Sequence, residues 1–262
     1  MSIAGGNPEE HLLARWRMEQ SRPIAGWDFS LLQGRMGEDE PPWDFDAICR
    51  QELERAERVL DMGTGGGEQL LTFADVLPAD TVATEGWPPN LPVARDALGE
   101  HGIPVEMYDA ESTDPAGRRM PFEDDRFDLI LNRHEAFIAE DVARVLAPGG
   151  VFLTQQVAGD DAHELHDLFG GHASYPAHLK DELLRQAHSA GLDVHEAAEW
   201  TGTYRFHDVA ALVAYLHLVP WDAPEDFTVD HYADQLLALH RDHQGIDITL
   251  TKRRFWFRAQ LR

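Results

Sequence analysis

Asp61 and the glycines that follow it hold the residue types from which chemistry would start in this 262-residue chain. Residues 59–70 read VLDMGTGGGEQL: an apolar pair runs up to Asp61, then Gly63, Gly65, Gly66 and Gly67 fall within five positions. Glycines so dense let the backbone turn sharply and approach a ligand closely, because no Cβ intervenes. A strand, a glycine-rich turn and a helix start together make a nucleotide-binding corner. Downstream, Glu85, Asp109 and the run Asn132-Arg133-His134-Glu135 add carboxylates, an amide and an imidazole. Carboxylates accept from hydroxyls or pair with cations, and a histidine exchanges its proton near neutral pH.

Two nucleotide patterns compete for the corner. Counting G-x-G-x-x-G from Gly63 puts Glu68 where a dinucleotide site needs a small residue, and a Glu there suits a pyrophosphate poorly. An acidic residue followed by G-x-G-x-G is met in full by Asp61-Met62-Gly63-Thr64-Gly65-Gly66-Gly67. A carboxylate this near the turn suits a ligand bearing an ammonium and a sulfonium rather than a pair of phosphates.

Four further motifs follow in order: Glu85 at the end of a second strand, 22 positions after Gly63; Tyr108-Asp109-Ala110-Glu111 after a third; MPFEDDRFDLIL at 120–131; and Arg144-Val145-Leu146-Ala147-Pro148-Gly149-Gly150 before a fifth. With the corner, they resemble the class I S-adenosylmethionine (SAM)-dependent methyltransferases of the type 11 group, over about residues 58–157. The tetrapeptides WDFS, ATEG and TQQV are similar to those of a bacterial subgroup of that family, and name no substrate. The resemblance implies a Rossmann-like, doubly wound α/β sheet of seven strands, six parallel and the last antiparallel. It implies SAM as cofactor, held by Asp61, Gly63, Thr64, Gly65 and Gly67 at the corner. Glu85 and Gly86 would meet the ribose, Asp109 the adenine amino group, and Ala110 and Glu111 the ring; Asn132 would stand at the reacting end. Trp87 either packs on the adenine face or anchors its loop. His134 is the candidate base by position, against the alternative of a structural histidine; Glu135 either orients it or has no role. Asp61 as a turn cap, Glu85 as a solvated strand end and Asp109 as a turn former stay open as plainer readings.

The elements that must position these residues alternate. Strands are expected at 59–61, 81–85, 103–108, 126–131, 151–157, 192–199 and 246–261. Helices are expected at 46–57, 68–77, 140–146, 180–190, from Asp208 to 216 and at 231–240, and one capped by Asn90 running to Leu98. Such alternation implies a mostly parallel sheet covered on both faces. The domain reading is an N-terminal helical arm or lid at 1–57, a cofactor-binding core at 58–199, a helical cap insertion at 200–245 and a last core strand at 246–262. Trp27, Phe29, Leu31 and Trp43 make the arm too apolar for a disordered tail. Arm and cap are expected to cover the active site.

Charge narrows the function. With 22 Lys+Arg against 47 Asp+Glu, the net charge is −25. Such a surface repels nucleic-acid backbones and anionic lipids. Cys49 is the single cysteine, so no internal disulfide forms. No apolar run approaches the about 20 residues that span a bilayer, and a cytoplasmic location is expected; oligomeric state is open. The acid and histidine cluster Asp160, Asp161, His163, Glu164, His166 and Asp167 lacks good ligand spacing, and no metal is expected. Phe255-Trp256-Phe257 reads as the core of the last strand. The expectation is in-line methyl transfer from SAM to an N or O atom of a small molecule. The alternatives are an RNA-base or protein methyltransferase, and a SAM-binding sensor or partner protein that transfers nothing.

Overall fold

A computed structural model of the chain describes residues 7–23, 29–170 and 175–262. Trp27 of the expected arm lies outside them. In chain order the main elements are α1 (Pro8–Gln20), β1 (Met36–Glu38), α2 (Phe45–Leu53), β2 (Arg58–Met62), α3 (Glu68–Leu71), β3 (Asp80–Glu85), α4 (Leu91–Gly99) and β4 (Val105–Met107). Then come β5 (Phe127–Arg133), α5 (Ala139–Val145), β6 (Leu146–Val157), α6 (Glu164–Phe169), α7 (Lys180–Ser189), β7 (Leu192–Phe206), α8 (Val209–Leu218), α9 (Ala233–Asp242) and β8 (Ile248–Leu261). The chain divides into two compact units: residues 41–158, 178–200 and 254–262 form one, and the described parts of 1–40, 159–177 and 201–253 the other.

In the first unit the strand order is β7-β8-β6-β5-β2-β3-β4. Neighbours from β6 through β5, β2 and β3 to β4 pair in parallel, and β8 runs antiparallel to β6. The residues of these strands alternate between two apolar layers, as successive side chains must. Leu60, Met62, Ile130 and Phe152 enter one layer with Phe255 and Phe257. Val59, Leu129, Leu131, Val151 and Leu153 enter the other with Phe45, Cys49 and Leu53 of α2. Burial on both faces is why these strands read as continuous apolar runs.

The expected count of seven strands becomes eight. Met36–Glu38 (β1) pairs antiparallel with residues 204–206 of β7; three residues are too few to show a period. β7 likewise runs past 199 to Phe206, through β-branched and aromatic Thr201, Thr203, Tyr204 and Phe206. The helix expected at 68–77 is α-helical only to Leu71, because Thr72, Phe73 and Ala74 each donate to the carbonyl three residues back, tightening the chain into turns. Asn90 makes no side-chain cap to α4. The Pro-Gly-Gly turn lies within β6, as a register shift against β5.

The second unit packs α1, α6, α8 and α9 around its own core. In α8 every residue except His217 is buried, as an all-round apolar helix must be. Asp208 caps it as expected, accepting from Ala211 N at 2.8 Å. The acid cluster here serves the fold. Asp160 pairs with Arg253, Asp161 accepts from the Tyr204 hydroxyl at 3.0 Å, and Glu164 accepts from Thr251 N at 3.0 Å. Among the described residues no group of three His, Cys, Asp or Glu side chains is arranged to hold a metal, and no helix is long and apolar enough to cross a membrane.

Candidate active site

The corner forms where β2 ends. Gly63, Gly65 and Gly67 take φ of +69°, +63° and +89°, a left-handed conformation that favours glycine. Space is as decisive. A Cβ on Gly63 would stand 2.5–2.7 Å from the Glu135 side chain, one on Gly67 2.7 Å from Leu98 Cγ, and one on Gly86 2.7 Å from the Tyr108 carbonyl. Thr64 N donates to Thr84 O at 2.8 Å, which ties the turn to the neighbouring strand.

Glu85 ends β3 with both carboxylate oxygens engaged. Oε2 accepts from Gly65 N and Oε1 from Trp87 N, each at 2.7 Å. Burial pushes this carboxyl above its ordinary range, and the backbone donors act against that. Asp61 is held still more firmly: burial raises it to about 6, opposed by the Arg133 guanidinium and reinforced by Glu85. The Thr64 hydroxyl lies beside Asp61 but reaches no hydrogen-bonding geometry, and it is buried. Asp109 Oδ1 accepts from Glu111 N at 2.8 Å, closing the turn after β4; Ala110 is buried and Glu111 exposed. Trp87 is 39% exposed.

At the end of β5, His134 takes φ of +63°, uncommon outside glycine. Its N–H donates to Gln155 O at 2.8 Å, its ring lies 3.4 Å from Gln155 Nε2, and it is exposed. The turn carries Glu135 back against Gly63, so Glu135 does not orient His134. Burial raises the Glu135 carboxyl to about 8, and Glu85, Asp109 and Glu111 add to the rise.

A buried polar strip at the ends of β5 and β6 holds this turn. Asn132 Nδ2 donates to Glu135 O at 3.1 Å, and Asn132 Oδ1 accepts from Thr154 Oγ1 at 3.0 Å and Gln156 Nε2 at 2.7 Å. Gln156 Nε2 also reaches Glu135 O at 3.0 Å. Its amide nitrogen thus faces acceptors, so Oε1 faces His178 Nε2 at 3.0 Å and accepts from it. Burial lowers the His178 pKa, favouring the neutral ring. Gln155 accepts from the Trp43 indole N–H at 2.7 Å. None of Trp43, Gln155, Gln156 and His178 was among the candidate residues. The visible signal was Thr154-Gln155-Gln156, three polar residues closing an otherwise apolar strand.

These residues fit a cationic nucleoside such as SAM better than a dinucleotide. The Gly65 N–H, which a phosphate would need, already donates to a carboxylate. Asp61, Glu85, Asp109, Glu111 and Glu135 surround the corner, and the Arg133 guanidinium acts on Asp61. Arg133 is itself paired to Asp46 and lies over the Phe45 ring.

Comparison with known proteins agrees. Residues 60–154 match the family described as methyltransferase domain, type 11. The chain is 27% identical over 199 residues to an uncharacterised methyltransferase, YcgJ, of Bacillus subtilis (strain 168), covering 72% of this chain and 68% of the relative. It is 30% identical over 141 residues to a probable phthiotriol/phenolphthiotriol dimycocerosates methyltransferase of Mycobacterium ulcerans (strain Agy99), covering 44% of this chain and 51% of that protein. The crystal structure of the YcgJ protein shares the fold, with a TM-score of 0.57 at 19% identity over 83% of this chain and 98% of that one. Glycine corner, strand order and sequence matches converge: residues 60–154 match the methyltransferase-domain family, within a chain that shares the fold of the YcgJ protein.

Proposed function

We propose that this protein transfers the methyl group of SAM to a nitrogen or oxygen atom of a small molecule. One observation carries the cofactor assignment: the corner's Gly65 amide is bound to Glu85, inside a ring of carboxylates. That environment attracts an ammonium and a sulfonium and repels a pyrophosphate. Asp61 and the Thr64 hydroxyl would take the methionyl ammonium, the remaining lone pairs of Glu85 the ribose diol, and Asp109 with Ala110 and Glu111 the adenine. Bound SAM supplies an electrophilic methyl carbon, open to in-line attack.

The protein's part is alignment and exclusion of water. Asn132, Thr154 and Gln156 fix the turn that follows β5, where the acceptor would approach. For an acceptor carrying a proton, His134 and His178 are the imidazoles at this end of the sheet among the described residues; His178, neutral and held through Gln156, is the better oriented. Two facts support a small acceptor. A net charge of −25 disfavours RNA, and the Mycobacterium ulcerans relative is named for phthiotriol and phenolphthiotriol dimycocerosates, neither RNA nor protein.

The test is binding. Purified protein should show a thermal shift with SAM and with S-adenosylhomocysteine and none with NAD, and Gly65→Arg should abolish the shift. No response to either sulfur ligand refutes the assignment. Labelled SAM offered with a fractionated metabolite extract then identifies the acceptor; label entering only RNA or protein refutes the small-molecule reading.

A further inference from the structure

We propose that Glu135 is the residue by which this protein tells SAM from its demethylated product, its carboxylate facing the sulfonium. The inference rests on the SAM assignment above and extends it to a residue to which the family resemblance gives no cofactor contact.

The geometry is specific. The left-handed turn at His134 folds Glu135 back so that its Cβ, Cγ and Oε2 occupy the space a side chain at Gly63 would need. Its backbone carbonyl accepts from both Asn132 and Gln156, so the side chain is aimed from a fixed base. Gly63 belongs to the methionyl end of the corner and Glu85 to the ribose end. Glu135 touches the first, and Glu85 is the charged group that acts on it most strongly. In SAM the atom joining ribose to the methionyl chain is the sulfonium sulfur.

The groups facing Glu135 are Glu85 from β3, Asp109 and Glu111 from the segment after β4, and the Tyr108 phenol beside them. Glu135 has no ion-pair partner among the described residues. Ligand-free, such a carboxyl keeps its proton near neutrality, as its pKa of about 8 indicates. A sulfonium beside it favours the carboxylate and expels that proton; the thioether of S-adenosylhomocysteine does not. Ammonium, carboxylate, ribose and adenine are common to both ligands, so a difference between them reports the sulfonium alone.

Isothermal calorimetry at pH 7, in buffers of different ionisation enthalpy, counts the protons released. SAM should release close to one proton more than S-adenosylhomocysteine does. Glu135→Gln should erase that difference and weaken SAM by about tenfold or more, the factor carried by one unit of lost pKa depression. Its affinity for S-adenosylhomocysteine should stay within about twofold, which also shows that the variant is folded. Equal proton release by the two ligands in the wild type, or equal loss of both affinities in the variant, overturns the sulfonium assignment while leaving the cofactor assignment intact. Failure of the wild type to bind either ligand overturns both.

Discussion

Replacing Glu135 with Gln should remove a pH dependence of stability that the ligand-free protein carries over a defined window. Burial holds this carboxyl at about 8 in the folded chain, against an ordinary 4.5. A raised pKa means that the folded state keeps a proton the unfolded chain gives up. Below the ordinary value both states are protonated and the site costs nothing. Between the two values the unfolded chain ionises alone and stability falls as pH rises, by about 1.4 kcal/mol per unit. Above the folded value the loss is complete. Asp61 contributes with the same sign, but its folded value of about 6 closes its window earlier. From about pH 6 to about pH 8 the wild type should therefore lose about 2 kcal/mol that the Gln variant keeps. Both proteins carry the other raised carboxyls, so their difference isolates Glu135. Urea unfolding of each at the two pH values, followed by tryptophan fluorescence, measures it. Wild type and variant moving in parallel, within about 0.5 kcal/mol, would show that the Glu135 side chain is solvated and the reasoning wrong.

Two further outcomes follow from the packing. Gly67→Ala forces a Cβ into Leu98 at φ of +89° and should cost about 1–3 kcal/mol in a thermal melt, whereas Gly99→Ala, with open space around it in α4, should be neutral or stabilising by up to about 1 kcal/mol. Cys49 is buried and its thiol is pushed up to about 12, so a colorimetric thiol reagent should leave the native protein unlabelled at pH 8 and react with one thiol on unfolding.

Much of the scaffold was legible because it is repetitive. Continuous apolar strands such as Leu129-Ile130-Leu131 announce a parallel sheet wherever they occur, and the Gly-rich turn with an acid 22 positions on announces the corner. What escaped depends on partners far away in sequence. β1 is three residues long and exists through its pairing with residues 204–206. The early end of α3 reflects a local choice between hydrogen bonds three and four residues back, which no apolar period encodes. Glu135 escaped for a related reason. Sequence adjacency suggested that it serves His134, but a positive φ at a non-glycine residue reverses the chain between them, and that conformation has no signature in residue type.

The chemistry of the corner turns on where its amide donors go. Anion sites at strand ends work by pointing free N–H groups and the positive end of a helix at the ligand. Here both resources are diminished. The Gly65 N–H is bound to Glu85 at 2.7 Å, and α3 lasts four residues, about one turn of aligned dipoles. In their place stand carboxylates, one raised to about 6 and another to about 8, by burial first and by neighbouring carboxylates second. Each raised pKa reflects a carboxyl that is costly to ionise where it is buried, a cost that a cationic ligand would offset on binding. A phosphate would deepen it, and a neutral nucleoside would leave it unchanged. The protein's net charge of −25 has the same sign as this local field, so long-range attraction and the local chemistry select alike for a positively charged nucleoside.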